Sequence, residues 1–246
     1  PVAFNHRIHE EKTESCKSCH HASLQRCGEC HTDKGIEKGG YVHLEEAMHS
    51  TLTGKSCLGC HSASQTDQSC AGCHAMMPAK SFTEMNCEQC HAVDRNALAV
   101  LPMGSEEKSA LARRTLKAAS SSFTMVADGL IPETVTINAM INEYEAATFP
   151  HRRVIKKLAA NIKENGMAAF FHGDATNLCM GCHHNSPASV NPPGCASCHG
   201  DAFKAAGDGR PGLKGAYHGQ CITCHQLMKI EKPSATDCIS CHKKRT

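Results

Sequence analysis

The pattern Cys-x-x-Cys-His occurs nine times, beginning at Cys16, Cys27, Cys57, Cys70, Cys87, Cys179, Cys195, Cys221 and Cys238, and it uses all 18 cysteines. A Cys-x-x-Cys pair alone fits half a zinc site, a redox dithiol or a disulfide. Zinc does not need histidine at the same offset every time, and disulfides do not need histidine at all. Covalent haem attachment needs all three residues: two thiols bond the porphyrin edge and the adjacent imidazole reaches the iron from one face. The attachment residues are then Cys16, Cys19, Cys27, Cys30, Cys57, Cys60, Cys70, Cys73, Cys87, Cys90, Cys179, Cys182, Cys195, Cys198, Cys221, Cys224, Cys238 and Cys241, for nine haem c groups.

So many cofactors limit what the chain can fold into. Hydrophobic residues make up 40% of the 246, cysteines included, aromatics make up 4%, and there is no Trp. Without the cysteines about a third of the chain is apolar, which is low for this length. The porphyrins must supply the missing apolar mass, so haem uptake and folding are expected to be one event. The expected fold is mainly irregular, with short α-helices, a few short β-strands and little conventional core.

The chain has 18 histidines. Nine belong to the motifs: His20, His31, His61, His74, His91, His183, His199, His225 and His242. Nine lie elsewhere: His6, His9, His21, His43, His49, His151, His172, His184 and His218. Two per iron would close both axial positions of every haem. Methionine is the other candidate sixth ligand, but Met76, Met77, Met85 and Met103 are expected to pack against porphyrin, as Met commonly fills gaps. Bis-histidine ligation implies low potentials, and a haem that activates substrate needs an open iron position. The histidine balance therefore favours an electron carrier, with no catalytic residue. The alternative is a multihaem reductase with one open-coordination haem.

The motifs fall into two arrays. The first four are spaced by 11, 30 and 13 residues and the last four by 16, 26 and 17, short, long, short in both. Each array opens with an aromatic-x-His phrase, "FNH" at 4–6 and "FPH" at 149–151, and its first motif carries a second histidine. This is an internal repeat, with Cys87 standing outside it. The phrases "VAFNHRIH", "CKSCHH", "CGECH", "YVHLEEAMH", "CLGCH" and "CAGCH" together resemble a tetrahaem cytochrome c3 over residues 2–74, and more loosely over 149–242. Two such modules around one further haem resemble the nine-haem cytochromes c and the C-terminal part of the high-molecular-weight cytochrome of sulfate-reducing bacteria, in the cytochrome c3 superfamily.

That resemblance implies a division into residues 1–80, a tetrahaem module; 81–148, the isolated-haem site (Cys87–His91) and connector; and 149–246, a second tetrahaem module. It also implies axial partners. His6 would cap the haem on His20, His9 that on His61, His21 that on His31 and His49 that on His74. In the second module His151 would pair with His183, His184 with His199 and His218 with His242. His172 would fall to His225, but "FPHRRV" departs from the family phrase, so His151 and His172 are open to exchange. His43 is left for His91. The resemblance further implies hydrogenase and tetrahaem cytochrome c3 as electron donors, with delivery onward to a membrane redox complex.

Between the arrays, "GSEEKSALARRTLKAASS" reads as a helix with Ser105 as N-cap. "FTMVADGLIPETVTIN" reads as two strands about Asp128 and Gly129. The spacing of Val154, Ile155, Leu158 and Ile162 predicts a helix over 152–165, stopped by Gly166 and laid on porphyrin. The connector is expected to cover the lone haem.

Haem is joined to thiols outside the cytoplasm, so the chain is expected to be periplasmic, a mature exported protein or a fragment of a longer one. No apolar run approaches membrane-spanning length. No basic stripe with interleaved aromatics points to nucleic acid. The formal charge of +2 becomes about −7 with nine ferric haems and ionised propionates, and about −16 when they are ferrous. The tail residues Lys243, Lys244 and Arg245 follow the last motif and could guide an acidic partner.

Overall fold

The computed structural model describes residues 2–77, 87–91, 104–119, 123–138, 144–200, 202–205 and 207–246. Eleven α-helices are seen among them. In the first part these are α1 (His6–Lys12), α2 (Cys27–Cys30), α3 (Leu44–His49), α4 (Cys57–Ala63) and α5 (Gln68–His74). They are followed by α6 (Ser105–Ala119), α7 (His151–Glu164), α8 (Gly166–Phe171), α9 (Thr176–Cys179), α10 (Leu213–Leu227) and α11 (Cys238–Cys241). Strands β1 (Val135–Ile137) and β2 (Ala147–Phe149) form one antiparallel ribbon, with Val135 opposite Phe149. Mostly short helices in irregular chain, with one two-stranded sheet, match the expected fold class. Met85 and Met103 lie outside the described residues.

The chain forms two compact units, Phe4–Cys70 and Ala71–Thr246 with Pro1–Ala3. The division falls inside the fourth motif. Within Phe4–Cys70 the helices are fixed by local polar contacts. The Asn5 side chain accepts from the Ile8 amide at 3.2 Å and starts α1, which is how an N-cap satisfies an otherwise orphaned donor. Ser56 does the same for α4, accepting from the Gly59 amide at 2.8 Å. Gly59 has no room for a side chain, since a Cβ there would lie 2.0 Å from the Thr53 carbonyl oxygen. No apolar side chain of residues 4–70 is buried.

The other unit has a small polypeptide core of Phe123, Ala159, Ala175 and Leu178, flanked by Met125, Val126, Ile155, Leu158, Ile162 and Ala169. Helix α7 packs Ile155, Leu158 and Ile162 on this polypeptide core, where the expectation was a porphyrin surface. Its basic residues also have protein partners: Arg152 donates to the Ile131 carbonyl at 2.7 and 2.9 Å, and Lys156 pairs with Asp128 at 2.5 Å.

Three local expectations are revised. Gly104 precedes α6, and its amide donates to Glu107 Oε2 at 3.1 Å, so Ser105 is the first helical residue and not the cap. Gly166 opens α8 and does not stop α7, because Asn165 accepts from the amides of Met167 and Ala168 and so caps a second helix. Asp128–Leu130 is a single 3-10 turn, and Val135–Ile137 pairs with a strand beyond it.

Candidate haem centres

Helix α1 places His6 and His9 three residues apart, on neighbouring positions of one face. Phe4 packs on both rings, 6.0 Å from His6 and 4.3 Å from His9. The His6 ring centre lies 6.3 Å from that of His20, and His9 lies 6.2 Å from His61. His21, one residue after His20, faces a different neighbour, His31, at 5.9 Å. Adjacent backbone positions thus direct two imidazoles to two separate centres.

The second unit repeats this arrangement. His151 lies 6.4 Å from His183, His184 lies 6.0 Å from His199, and His218 lies 5.9 Å from His242. Of the two histidines open to exchange, His151 is the one whose ring lies beside His183. His172, at the C-terminal end of α8, lies 5.9 Å from His74. His43 and His49 both line one cleft of about 520 Å³, together with Asp33, Glu45, Glu46 and Ser50.

These separations test whether the residues fit a haem iron. An imidazole nitrogen ligates a first-row metal at about 2 Å; adding the ring radius on each side, two rings trans across one metal sit roughly 6 Å apart. All seven ring pairs fall between 5.9 and 6.4 Å. The residues fit.

Backbone carbonyls orient several rings. Nδ1–H of His9 donates to Asn5 O at 2.8 Å, that of His31 to Val42 O at 3.2 Å, and that of His43 to Asp33 O at 2.8 Å. His172 donates to Ala168 O at 2.8 Å. His183, His199 and His225 each donate to a proline carbonyl, at Pro193, Pro211 and Pro233, over 2.9, 2.7 and 2.9 Å. Such a bond leaves the Nε2 lone pair free and makes the ring a better ligand. Burial lowers the pKa of His61, with His9 adding to it, and burial likewise lowers His151 and His218. A lowered imidazole pKa favours the neutral, ligating form.

The sulfur atoms converge within each unit. Burial raises the Cys19 thiol pKa, with Cys60 and Cys27 acting in the same direction. The side chain of Cys182 keeps some exposed surface. Its pKa is nevertheless pushed up to about 12, by burial first and then by Cys73, Cys224, Cys221 and Cys195. Gly72, inside the fourth motif, is tight for the same reason: a Cβ there would lie 2.8 Å from Cys224 Sγ. The attachment points of four motifs thus meet in residues 71–246.

Thiol pairs beside matched imidazoles, repeated along one chain, define a multihaem c-type cytochrome. The chain belongs to the class III cytochrome c family, which matches residues 1–91 and 149–243, and it carries nine covalently attached haem c groups. It is 45% identical over 253 residues to the high-molecular-weight cytochrome c of Nitratidesulfovibrio vulgaris, covering 100% of this chain and 46% of that protein. It is 38% identical over 261 residues to the nine-haem cytochrome c of Desulfovibrio desulfuricans, covering 99% and 79%. Among solved structures, the sixteen-haem cytochrome of Desulfovibrio gigas matches with a TM-score of 0.87 at 41% identity, over 100% of this chain and 49% of that one. The reduced nine-haem cytochrome c matches with a TM-score of 0.85 at 37% identity, over 100% and 89%. The chain thus spans about half the length of its high-molecular-weight relative. Among the described residues no helix is long and apolar enough to cross a membrane.

Proposed function

We propose that this chain is a periplasmic electron carrier whose nine haems are all bis-histidine ligated and of low potential. Its eighteen histidines would be the axial ligands. Fourteen of them form the seven ring pairs described above, and His43, His49, His91 and His225 are the other members of the set. The observation that carries this reading is the spacing of those pairs at 5.9 to 6.4 Å.

The haems, when bound, supply one-electron chemistry. The chain's residues hold and insulate them. The two double-histidine motifs lock neighbouring centres together at fixed separation, and electron tunnelling falls steeply with distance. Carbonyl-bonded imidazoles keep the ligands basic, which favours the ferric state and a low potential. With both faces of each iron closed, no position is left for substrate, so the chain is not an enzyme.

Hydrogenase and tetrahaem cytochrome c3 are the proposed donors, and a membrane redox complex is the proposed acceptor. The family supports this, and the basic tail offers a docking point. Lys243 and Lys244 are held beside the last motif, where the Glu145 amide donates to Lys243 O at 2.7 Å. Lys243→Gln with Lys244→Gln should slow reduction by an acidic partner and flatten its salt dependence; unchanged stopped-flow kinetics would remove docking at the tail.

Carbon monoxide binding to the ferrous protein tests the closed coordination. The parent should bind none, whereas His21→Ala should gain one equivalent at the opened face. Rapid adduct formation in the parent would favour a reductase.

A further inference from the structure

The connector brings Tyr144 against the histidine of the last motif. The Tyr144 ring centre lies 5.6 Å from the His242 ring, with the planes at 47°. Its backbone is tied to the same place: Tyr144 bridges antiparallel to Lys244, and the next amide, of Glu145, donates to Lys243 O at 2.7 Å. On the candidate iron site His242 faces His218, and their planes cross at 85°. The two double-histidine pairs are very different, with planes only 30° and 27° apart.

We propose that Tyr144 is a positioning residue that holds the His242 imidazole crosswise to His218 and so sets the electronic character of the last haem. The proposal rests on the bis-histidine reading above.

An imidazole bound through one nitrogen turns easily about the metal–nitrogen axis, so its angle is decided by what surrounds the ring. The angle matters because each ring donates into the iron d-orbital perpendicular to its plane. Parallel rings act on one orbital and split the pair, giving a rhombic low-spin signal. Crossed rings act on both orbitals equally, leaving them nearly degenerate and the signal strongly anisotropic. A residue that packs an aromatic ring against His242, and is itself bridged to the backbone just past His242, is placed to fix that angle.

The test compares electron paramagnetic resonance spectra and potentiometric titrations of the oxidised holoprotein with those of Tyr144→Val and Tyr144→Phe, each checked for nine haems. Valine keeps the backbone bridge to Lys244 and removes the ring. It should move one haem in nine from the strongly anisotropic to the rhombic class and shift that haem's midpoint potential. Phenylalanine should restore the parent spectrum. An unchanged Tyr144→Val spectrum would overturn the proposal, as would a Phe variant behaving like Val, since the hydroxyl and not the ring would then be acting. If Tyr144→Val does not load nine haems, Tyr144→Trp decides: the larger ring must change the angle, and an unchanged anisotropic signal again overturns it. A high-spin signal in the parent protein would instead be a failure of the bis-histidine reading, and the two failures are distinct in the spectrum.

Discussion

Residues 4–70 and residues 71–246 carry out the same ligand geometry with different support. The first shows matched imidazole rings at His6–His20, His9–His61 and His21–His31 and has no buried apolar side chain among its described residues. The second shows, among its described residues, four such pairs and seven buried apolar side chains, four of them in one cluster. The shorter segment is thus held by caps and turns without a buried apolar side chain, whereas the longer one adds a polypeptide core beneath α7. The double-histidine pairs are nearly identical in the two, at 5.9 Å and 30° against 6.0 Å and 27°. The pairs opened by the aromatic-x-His phrases differ in angle, 53° against 80°. Adjacent residues transmit geometry locally; ligands brought from a separate helix inherit it from packing.

The comparison is broken most severely by withholding haem. A chain produced without haem attachment should lose all ordered structure over residues 4–70, read as rapid proteolysis there and loss of helical circular dichroism. Persistent protection of that segment would show a core not accounted for. The next largest effect should come from Phe123→Ala, which removes a buried ring from the cluster in 71–246 and should cost about 3–5 kcal/mol. Leu52, which is 96% exposed, should tolerate Ala within about 0.5 kcal/mol. Thermal melts of both variants would check the contrast.

Smaller again, Gly59→Ala should destabilise residues 4–70 by about 1–3 kcal/mol through overpacking, while Gly28→Ala should be near neutral. A Cβ at Gly59 meets the Thr53 carbonyl oxygen at 2.0 Å, and one at Gly28 meets nothing within 4 Å. The mildest effect is on potentials. Reduction takes the net charge from about −7 to about −16, so it must tighten proton binding nearby, and midpoint potentials should fall as pH rises. Potentials flat from mildly acidic to mildly alkaline pH would contradict this.

Much of the candidate site was legible because its chemistry is written at fixed local spacing. Every cysteine and motif histidine sits inside a five-residue pattern, and His21 and His184 announce themselves by following one. His172 was not legible in the same way. Its place beside His74 depends on Asn165 capping α8 and on α7 lying on the Phe123 cluster, a chain of long-range packing that no local spacing encodes. Gly166 misled for a related reason, since glycine after a helix is as compatible with a new start as with a stop when a capping side chain precedes it. Tyr144 carried no motif at all, and only its pairing with the tail brings it to His242.

Near-infrared magnetic circular dichroism of the fully oxidised holoprotein tests the paired-imidazole assignment most directly, because the charge-transfer band of low-spin ferric haem reports the identity of both axial ligands. The expected result is a bis-imidazole band with the intensity of nine haems and no other low-spin band. A methionine-type band, or high-spin intensity equivalent to even one haem, would contradict it.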